Sequence, residues 1–440
     1  MKKLILFVTG FCLLGKIHAQ AMKSKSNNTT KQQASAPVPC NGDADALPGK
    51  YTDHTQPKYP TSIRNYSTQE KAVITKQLIA LEKIEEASRK DFQLTGCVAR
   101  VSFSGNDRTN YGGYIFASYG YQLGLYQNVC HVTEHVVKTV DEYRSVLRVN
   151  VNPWIPIGFL KPGGTGTFYL TDKNTSVRYE IPIDAKLGPS YDKDAKTRPS
   201  RISQYISEAI LLTSRSSDYK NKHADFLKLI NGDGYVENWM SGSKYDKITP
   251  KSYRWIDQHQ FITRPGVPLL IPVSRKEYLE ALLEYYEIEK ANFLYAHEEL
   301  VKSNANNSSE KAKKRAAILE ADKAAYPAVY EAKKAKVNQL LNSQKQEWLQ
   351  KPAVIGKRND DGNNRLDEIG KFYDMEDENS TALYLVNPAY FKYGAAQPLK
   401  PVLFEIQYRY EISPDFSFSI KLYNNFLKNY DFKALQKMLE

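Results

Sequence analysis

Five consecutive residues, His131-Val132-Thr133-Glu134-His135, carry the most specific chemical pattern in the chain, H-x-x-E-H. On an α-helix, side chains four apart lie on one face. His131 and His135 could then share one Zn²⁺, with Glu134 as general base on a metal-bound water; the chemistry would be zinc-dependent hydrolysis. A catalytic zinc takes three protein ligands, and the sequence names no third. Glu142 fits poorly, because on the same helix it would lie roughly 10 Å along the axis from His135. The flanking residues divide between two states. As a helix, 129–147 buries Val129, Val132, Val136, Val140, Tyr143 and Leu147 and turns both histidines to solvent. As a strand, favoured by its β-branched residues, it sets the histidines roughly 13 Å apart, too far to share a metal.

Other patterns could bind ligands. Residues 111–126 are dense in Tyr and Gly. Tyr111, Tyr114, Tyr119 and Tyr121 could present aromatic faces to a sugar, as in a glycan-binding module, although Tyr also suits the interior of a sheet. Asn231-Gly232-Asp233-Gly234 and the set Asn359, Asp361, Gly362, Glu368 approach calcium-loop spacing. Leu229 and Lys357 stand where the first carboxylates belong, so turns explain both better. No cofactor is expected beyond the conditional zinc. Cys12 lies in the apolar start of the chain, which leaves Cys40, Cys97 and Cys130. Cys97 and Cys130 flank one strand-rich region and form the expected disulfide, with Cys40 as a free thiol; three unpaired thiols are the alternative.

These residues need a frame. Ser67-Thr68-Gln69-Glu70 has capping-box spacing and opens a helix to about Lys90. From Thr95 to about Asp184 the pattern turns to strands, including Cys97–Phe103, Ser145–Val151, Gly166–Thr171 and Ser176–Ile183. Ile202 to Thr213 is expected as a helix. Ser274-Arg275-Lys276-Glu277 caps a long helix whose Leu279, Tyr286, Phe293 and Leu300 fall seven apart. After a polar break at 303–309, a second long helix carries Leu319, Tyr326, Tyr330, Val337, Leu341 and Trp348, with a kink or restart expected at Pro327. Phe404–Ile412 and Phe416–Leu422 both alternate apolar with polar and read as an antiparallel hairpin.

The implied fold is α+β: antiparallel sheet regions with a long inserted antiparallel helical hairpin of coiled-coil type. The expected organisation is a signal peptide at 1–21, a disordered leader at 22–46, and an α+β domain at 47–273. The helical hairpin at 274–350 follows, and then a strand-rich segment at 351–440 that packs back on the domain.

Met1-Lys2-Lys3, the apolar run Leu4–Gly15 and the exit Ala19-Gln20-Ala21 have the form of a secretory signal. The run is too short for a membrane span, and no later stretch approaches one. The chain is therefore read as periplasmic, cell-surface or extracellular. Three positive charges, Lys2, Lys3 and Lys16, belong to that signal; the formal net charge of the whole chain is +12. Export makes nucleic acid an unexpected target for this charge, and an acidic protein or an anionic envelope component suits it better. The expected function is a non-catalytic binding protein, with self-association through the hairpin as one mode. A zinc hydrolase using His131, Glu134 and His135 is the alternative, and a glycan-binding module is the third reading.

Overall fold

The computed structural model describes residues 38–53, 65–105, 108–155, 157–160, 166–169, 178–181, 201–209, 231–232, 236–240, 255–356, 368–375, 377, 379–411 and 417–440. The expected signal, most of the expected leader and the calcium-like stretch from Lys357 to Asp367 lie outside these residues.

A seven-stranded sheet organises the chain. Its strands are β1 (Lys50–Asp53), β2 (Cys97–Gly105), β3 (Tyr119–Cys130), β4 (Val137–Val151), β5 (Val236–Met240), β6 (Trp255–Ile262) and β7 (Phe404–Glu411). Their order is β1-β2-β3-β4-β7-β6-β5. Only the β1–β2 pair is parallel. The last strand in sequence among the described residues lies between β4 and β6, so early and late strands share one sheet. Period-two alternation sets the faces. Phe404, Ile406, Tyr408 and Tyr410 of β7 join Leu147, Val149 and Val151 of β4 in the core, with Leu123 and Leu125 of β3. Glu405, Gln407 and Arg409 fall on the other face.

The helices that matter are α1 (Thr68–Ser88), α2 (Arg275–Ala305), α3 (Glu310–Ser343), α4 (Ser417–Asn429) and α5 (Phe432–Lys437). α1 begins at the expected capping box, in which Ser67 and Glu70 bond reciprocally. It lays Ile74, Leu78 and Leu81 on the apolar face of the sheet, each fully buried. Burial of side chains this size contributes about 1.5–3 kcal/mol each. α4 and α5 cover the rest of that face with Phe418, Leu422, Phe426 and Leu435.

α4 corrects the expected second strand at 416–422. Phe418, Leu422, Tyr423 and Phe426 are all buried. A strand would turn Tyr423 away from the other three, whereas one helical face takes all four. Ile420, which the alternation would bury, is 38% exposed. Residues 202–213 are corrected in the opposite sense. A 3-10 turn at Ile202–Gln204 leads into a strand at Ile206–Ala209, and residues 210–213 lie outside the described set. That strand pairs with Ile157–Phe159 on one side and with Tyr384–Val386 on the other. Together with Leu270–Pro272 they make a second, four-stranded sheet.

α2 and α3 form the expected hairpin, of 31 and 34 residues, each about 45–50 Å long at 1.5 Å per residue. They run antiparallel: the rings of Phe293 and Tyr326 stack at 3.7 Å, and Lys333 and Lys334 reach back to Glu289 and Glu287 at 2.7 and 3.3 Å. The base is pinned, since the Arg275 N–H donates to the Lys351 carbonyl at 2.9 Å and the Ala353 N–H to the Val273 carbonyl at 2.8 Å. The hairpin therefore leaves and re-enters the body at adjacent points, as an insertion. α3 runs as one helix through Pro327, so of the expected kink or restart the restart does not occur. No helix among the described residues is long and apolar enough to cross a membrane.

Candidate functional site

Residues 131–135 form neither a helix nor a strand; they are the turn between β3 and β4. The His135 N–H donates to the His131 carbonyl at 2.8 Å, and the His131 N–H to the Val136 carbonyl at 2.9 Å. His135 closes the turn with φ of 50°. The Glu134 N–H donates to His131 Nδ1 at 3.3 Å, and Lys138 donates to the Glu134 carboxylate at 2.7 Å. The Lys138 bond holds the Glu134 carboxyl below its usual range. The turn is exposed, with Val132 at its tip. Among the described residues, no group of three His, Cys, Asp or Glu side chains is placed to hold a metal ion.

The tyrosines expected to face a sugar are mostly interior. Tyr111, Tyr119 and Tyr121 are buried, and Tyr114 is half-buried with its ring stacked on Phe391 at 6.3 Å. The Tyr111 hydroxyl donates to the Pro153 carbonyl. The Tyr121 hydroxyl donates to Glu85 of α1 at 2.7 Å, and Arg89 donates to the same oxygen at 2.9 Å. Burial pushes the Glu85 carboxyl up, partly countered by Arg89 and Tyr121. These rings fasten the helix layer and the second sheet to the main sheet. They do not form an aromatic platform.

The disulfide joins Cys40 to Cys130, and Cys97 is a buried free thiol. This corrects the expected Cys97–Cys130 pair for a reason of register. Cys97 lies opposite Gln127, three residues and roughly 10 Å along the strand from Cys130. A disulfide spans no more than about 7 Å between Cα atoms. Cys97 also belongs to the buried alternation Cys97, Ala99, Val101, Phe103, and that pattern in the sequence could have assigned it to the core.

The densest polar constellation was not singled out from the sequence. It lies on the second face of the main sheet and crosses four strands. Arg148 of β4 donates to Gln122 of β3 and to Gln407 of β7, both at 2.9 Å. Gln407 donates to both Asp257 oxygens of β6 at 2.9 and 3.1 Å. His259 sits beside Asp257, its Nε2 at 3.3 Å from that carboxylate and its Nδ1 at 2.8 Å from Glu405. Asn150 completes the run by donating to the other Glu405 oxygen at 3.0 Å. Burial alone would lower the His259 pKa, but hydrogen bonds to Asp257 and Glu405 outweigh it and push it up to about 9. For Asp257, burial raises the pKa, and His259, Gln407 and Arg409 more than reverse that, leaving it lowered. The signal available was the polar half of two alternating strands: Asp257 and His259, and Glu405 and Gln407.

Chemically this is an imidazolium held between two carboxylates. Both ring nitrogens are engaged, so His259 neither accepts nor releases a proton without breaking a charge-assisted bond. The constellation ties strands together and does not present a reactive group. Comparison with protein-family models, with curated proteins and with solved structures finds no match for this chain.

Proposed function

We propose that the chain is an exported, non-catalytic binding protein whose helical arm docks a protein partner. The observation that carries this reading is the outer surface of α3. Its seam residues Leu319, Tyr326, Tyr330 and Val337 are buried against α2 and the body. On the opposite side Ala317, Ala321, Ala324, Ala328 and Ala332 are exposed, and Val329, 49% exposed, lies on the flank of the seam. Small side chains let a second helix approach closely, and α3 adds eight Lys and Arg to only four Asp and Glu, so an acidic helix is the complementary occupant. A disulfide that closes the described N-terminal part of the chain supports an oxidising compartment, as the signal-like start does. His131 and Glu134 of the turn, and the charged side chains of the sheet face, are held in bonds to neighbours, which favours binding over catalysis.

The test is a photo-crosslinking residue at Ala321, with a control at Lys50, in cells that export the protein. The reading expects one dominant adduct from position 321 and none from position 50, and an Ala321→Glu/Ala328→Glu variant should abolish it. An adduct of twice the chain mass would identify the partner as a second copy. Equal adducts from both positions, or none from 321, would refute the reading.

A further inference from the structure

The chain contains two Asn-Gly pairs, Asn41-Gly42 and Asn231-Gly232. In such a pair the asparagine side chain can reach the next backbone nitrogen, because glycine has no Cβ to shield that nitrogen and adopts a wide range of backbone angles. The fold treats the two pairs oppositely. Asn231 is held: its Oδ1 accepts from the Leu269 and Leu270 N–H groups at 2.7 and 3.3 Å, and its carbonyl accepts from the Thr263 hydroxyl at 2.7 Å. Gly232 is pressed against Thr263, where a Cβ would lie 2.5 Å from Oγ1. Turning the Asn231 side chain toward the Gly232 nitrogen breaks both bonds to Oδ1 and leaves two donors unpaired.

Asn41 has no such restraint. It is exposed, and neither its side chain nor the Gly42 N–H makes a hydrogen bond among the described residues. Gly42 has φ of 112°, and nothing lies within 4 Å of the place a Cβ would take. Both residues line an open cavity, so water reaches them. Their neighbours are fixed. Cys40 is bonded to Cys130 and its N–H donates to the His135 carbonyl at 2.9 Å. Asp43 accepts from the Ala46 N–H at 3.3 Å and so caps the 3-10 turn at Ala44–Ala46.

We infer that Asn41 is a site of spontaneous deamidation in the folded protein, and that the fold protects Asn231. The Gly42 backbone nitrogen gives its proton to solvent base and bonds to Asn41 Cγ. The Cγ–Nδ2 bond breaks and the nitrogen leaves as ammonia, which closes a five-membered succinimide. Water then opens the ring at either carbonyl, giving aspartate or isoaspartate. Both products place a new carboxylate beside Asp43 and Asp45. Isoaspartate also lengthens the main chain between the Cys40 staple and the Asp43 cap, so the modification alters the one covalently closed corner described in this fold. The inference is independent of the helical arm, and either reading survives failure of the other.

The test incubates the full chain folded in buffer and, in parallel, unfolded in urea, at neutral and at mildly alkaline pH. Digestion and mass spectrometry then follow aspartate formation at both positions, with enzymatic methylation of isoaspartate as a second readout. In urea the two sites should convert at comparable rates. In the folded chain Asn41 should stay within a few-fold of its unfolded rate and speed up with pH. Asn231 should slow at least about tenfold, the rate factor that one hydrogen bond represents. An Asn41→Gln variant should lose the isoaspartate signal of the folded chain, because its longer side chain disfavours the five-membered ring. Equal slowing of both sites on folding, equal rates at both sites in the folded chain, or an isoaspartate signal that survives Asn41→Gln would overturn the inference.

Discussion

Replacing Cys40 and Cys130 by serine tests the architecture at its most consequential point. The bond joins residues 90 apart in sequence. In the loop-closure account, a loop of that length removes about 4–5 kcal/mol of unfolded-state entropy at 25 °C. The native geometry around it does not depend on the sulfurs alone: the Val137 N–H still donates to Val38 at 2.8 Å and the Gly49 N–H to Leu94 at 2.6 Å. Most of the loss should therefore arise in the unfolded chain. The Cys40→Ser/Cys130→Ser variant is expected to lose about 3–5 kcal/mol in urea denaturation, and the wild type under reductant should match it. Cys97 should behave oppositely. Burial pushes its thiol pKa up, so it should resist alkylation until the chain unfolds. Digestion without reduction should yield a Cys40–Cys130 peptide pair. A linked peptide containing Cys97, or a double variant as stable as the oxidised wild type, would refute the register argument.

Two further expectations concern buried polar groups. His259 has a folded pKa of about 9, above its unfolded value of 6.5. Its contribution, at most about 3 kcal/mol, is therefore full below pH 6.5 and lost as pH rises through 9. The stability gap between wild type and His259→Gln should shrink from pH 6.5 to 9.5, and a constant gap in urea midpoints would contradict the ion triad. Asn152 is fully buried, with φ of 48°. It donates to Ala117 and Lys400 and accepts from Val402 and Leu403. Asn152→Ala should cost about 3–5 kcal/mol, because several buried groups lose partners at once. Asn152→Gly should cost somewhat less, because it keeps the backbone conformation. A loss under 1 kcal/mol by thermal or urea melts would show that water replaces the side chain.

The elements legible in the sequence are those whose signal is local. The Ser67–Glu70 box, the Ser274 cap and the seven-residue spacing of the hairpin each lie within one helix, and a cap or stripe needs no distant partner to be recognised. β7 was equally readable because its alternation meets a sheet that is buried on one face. The misread segments depend on neighbours far away in sequence. Phe416 to Leu422 alternate as a strand would, yet Tyr423 and Phe426 continue the pattern with helical spacing, and the sheet beneath needed a helix to cover it. Ile206 is drawn into a strand by Phe159 and Tyr384, some 47 and 178 residues away. The two polar half-strands around His259 were visible, but their meeting in one constellation was not, for the same reason. Its members come from four strands between Gln122 and Gln407, and no two of its charged partners other than Asp257 and His259 are close in sequence.

Pro327 shows how composition and packing settle a local conflict. Proline inside a helix removes one backbone bond and costs about 3 kcal/mol. The expected restart assumed that nothing offsets this. Seven alanines lie between residues 316 and 332, and each gains up to about 0.7 kcal/mol of helix propensity over a poorer helix former. Tyr326 and Tyr330, one residue before and three after the proline, are buried against the partner helix and hold the register on both sides of it. Propensity on the outer face and packing on the inner face together exceed the cost, so the helix continues. The same alanines leave the outer face smooth. The residues that favour the helix across Pro327 are therefore also the ones that the proposed docking helix would meet, and substituting glutamate there would alter that outer face while leaving the seam residues against α2 unchanged.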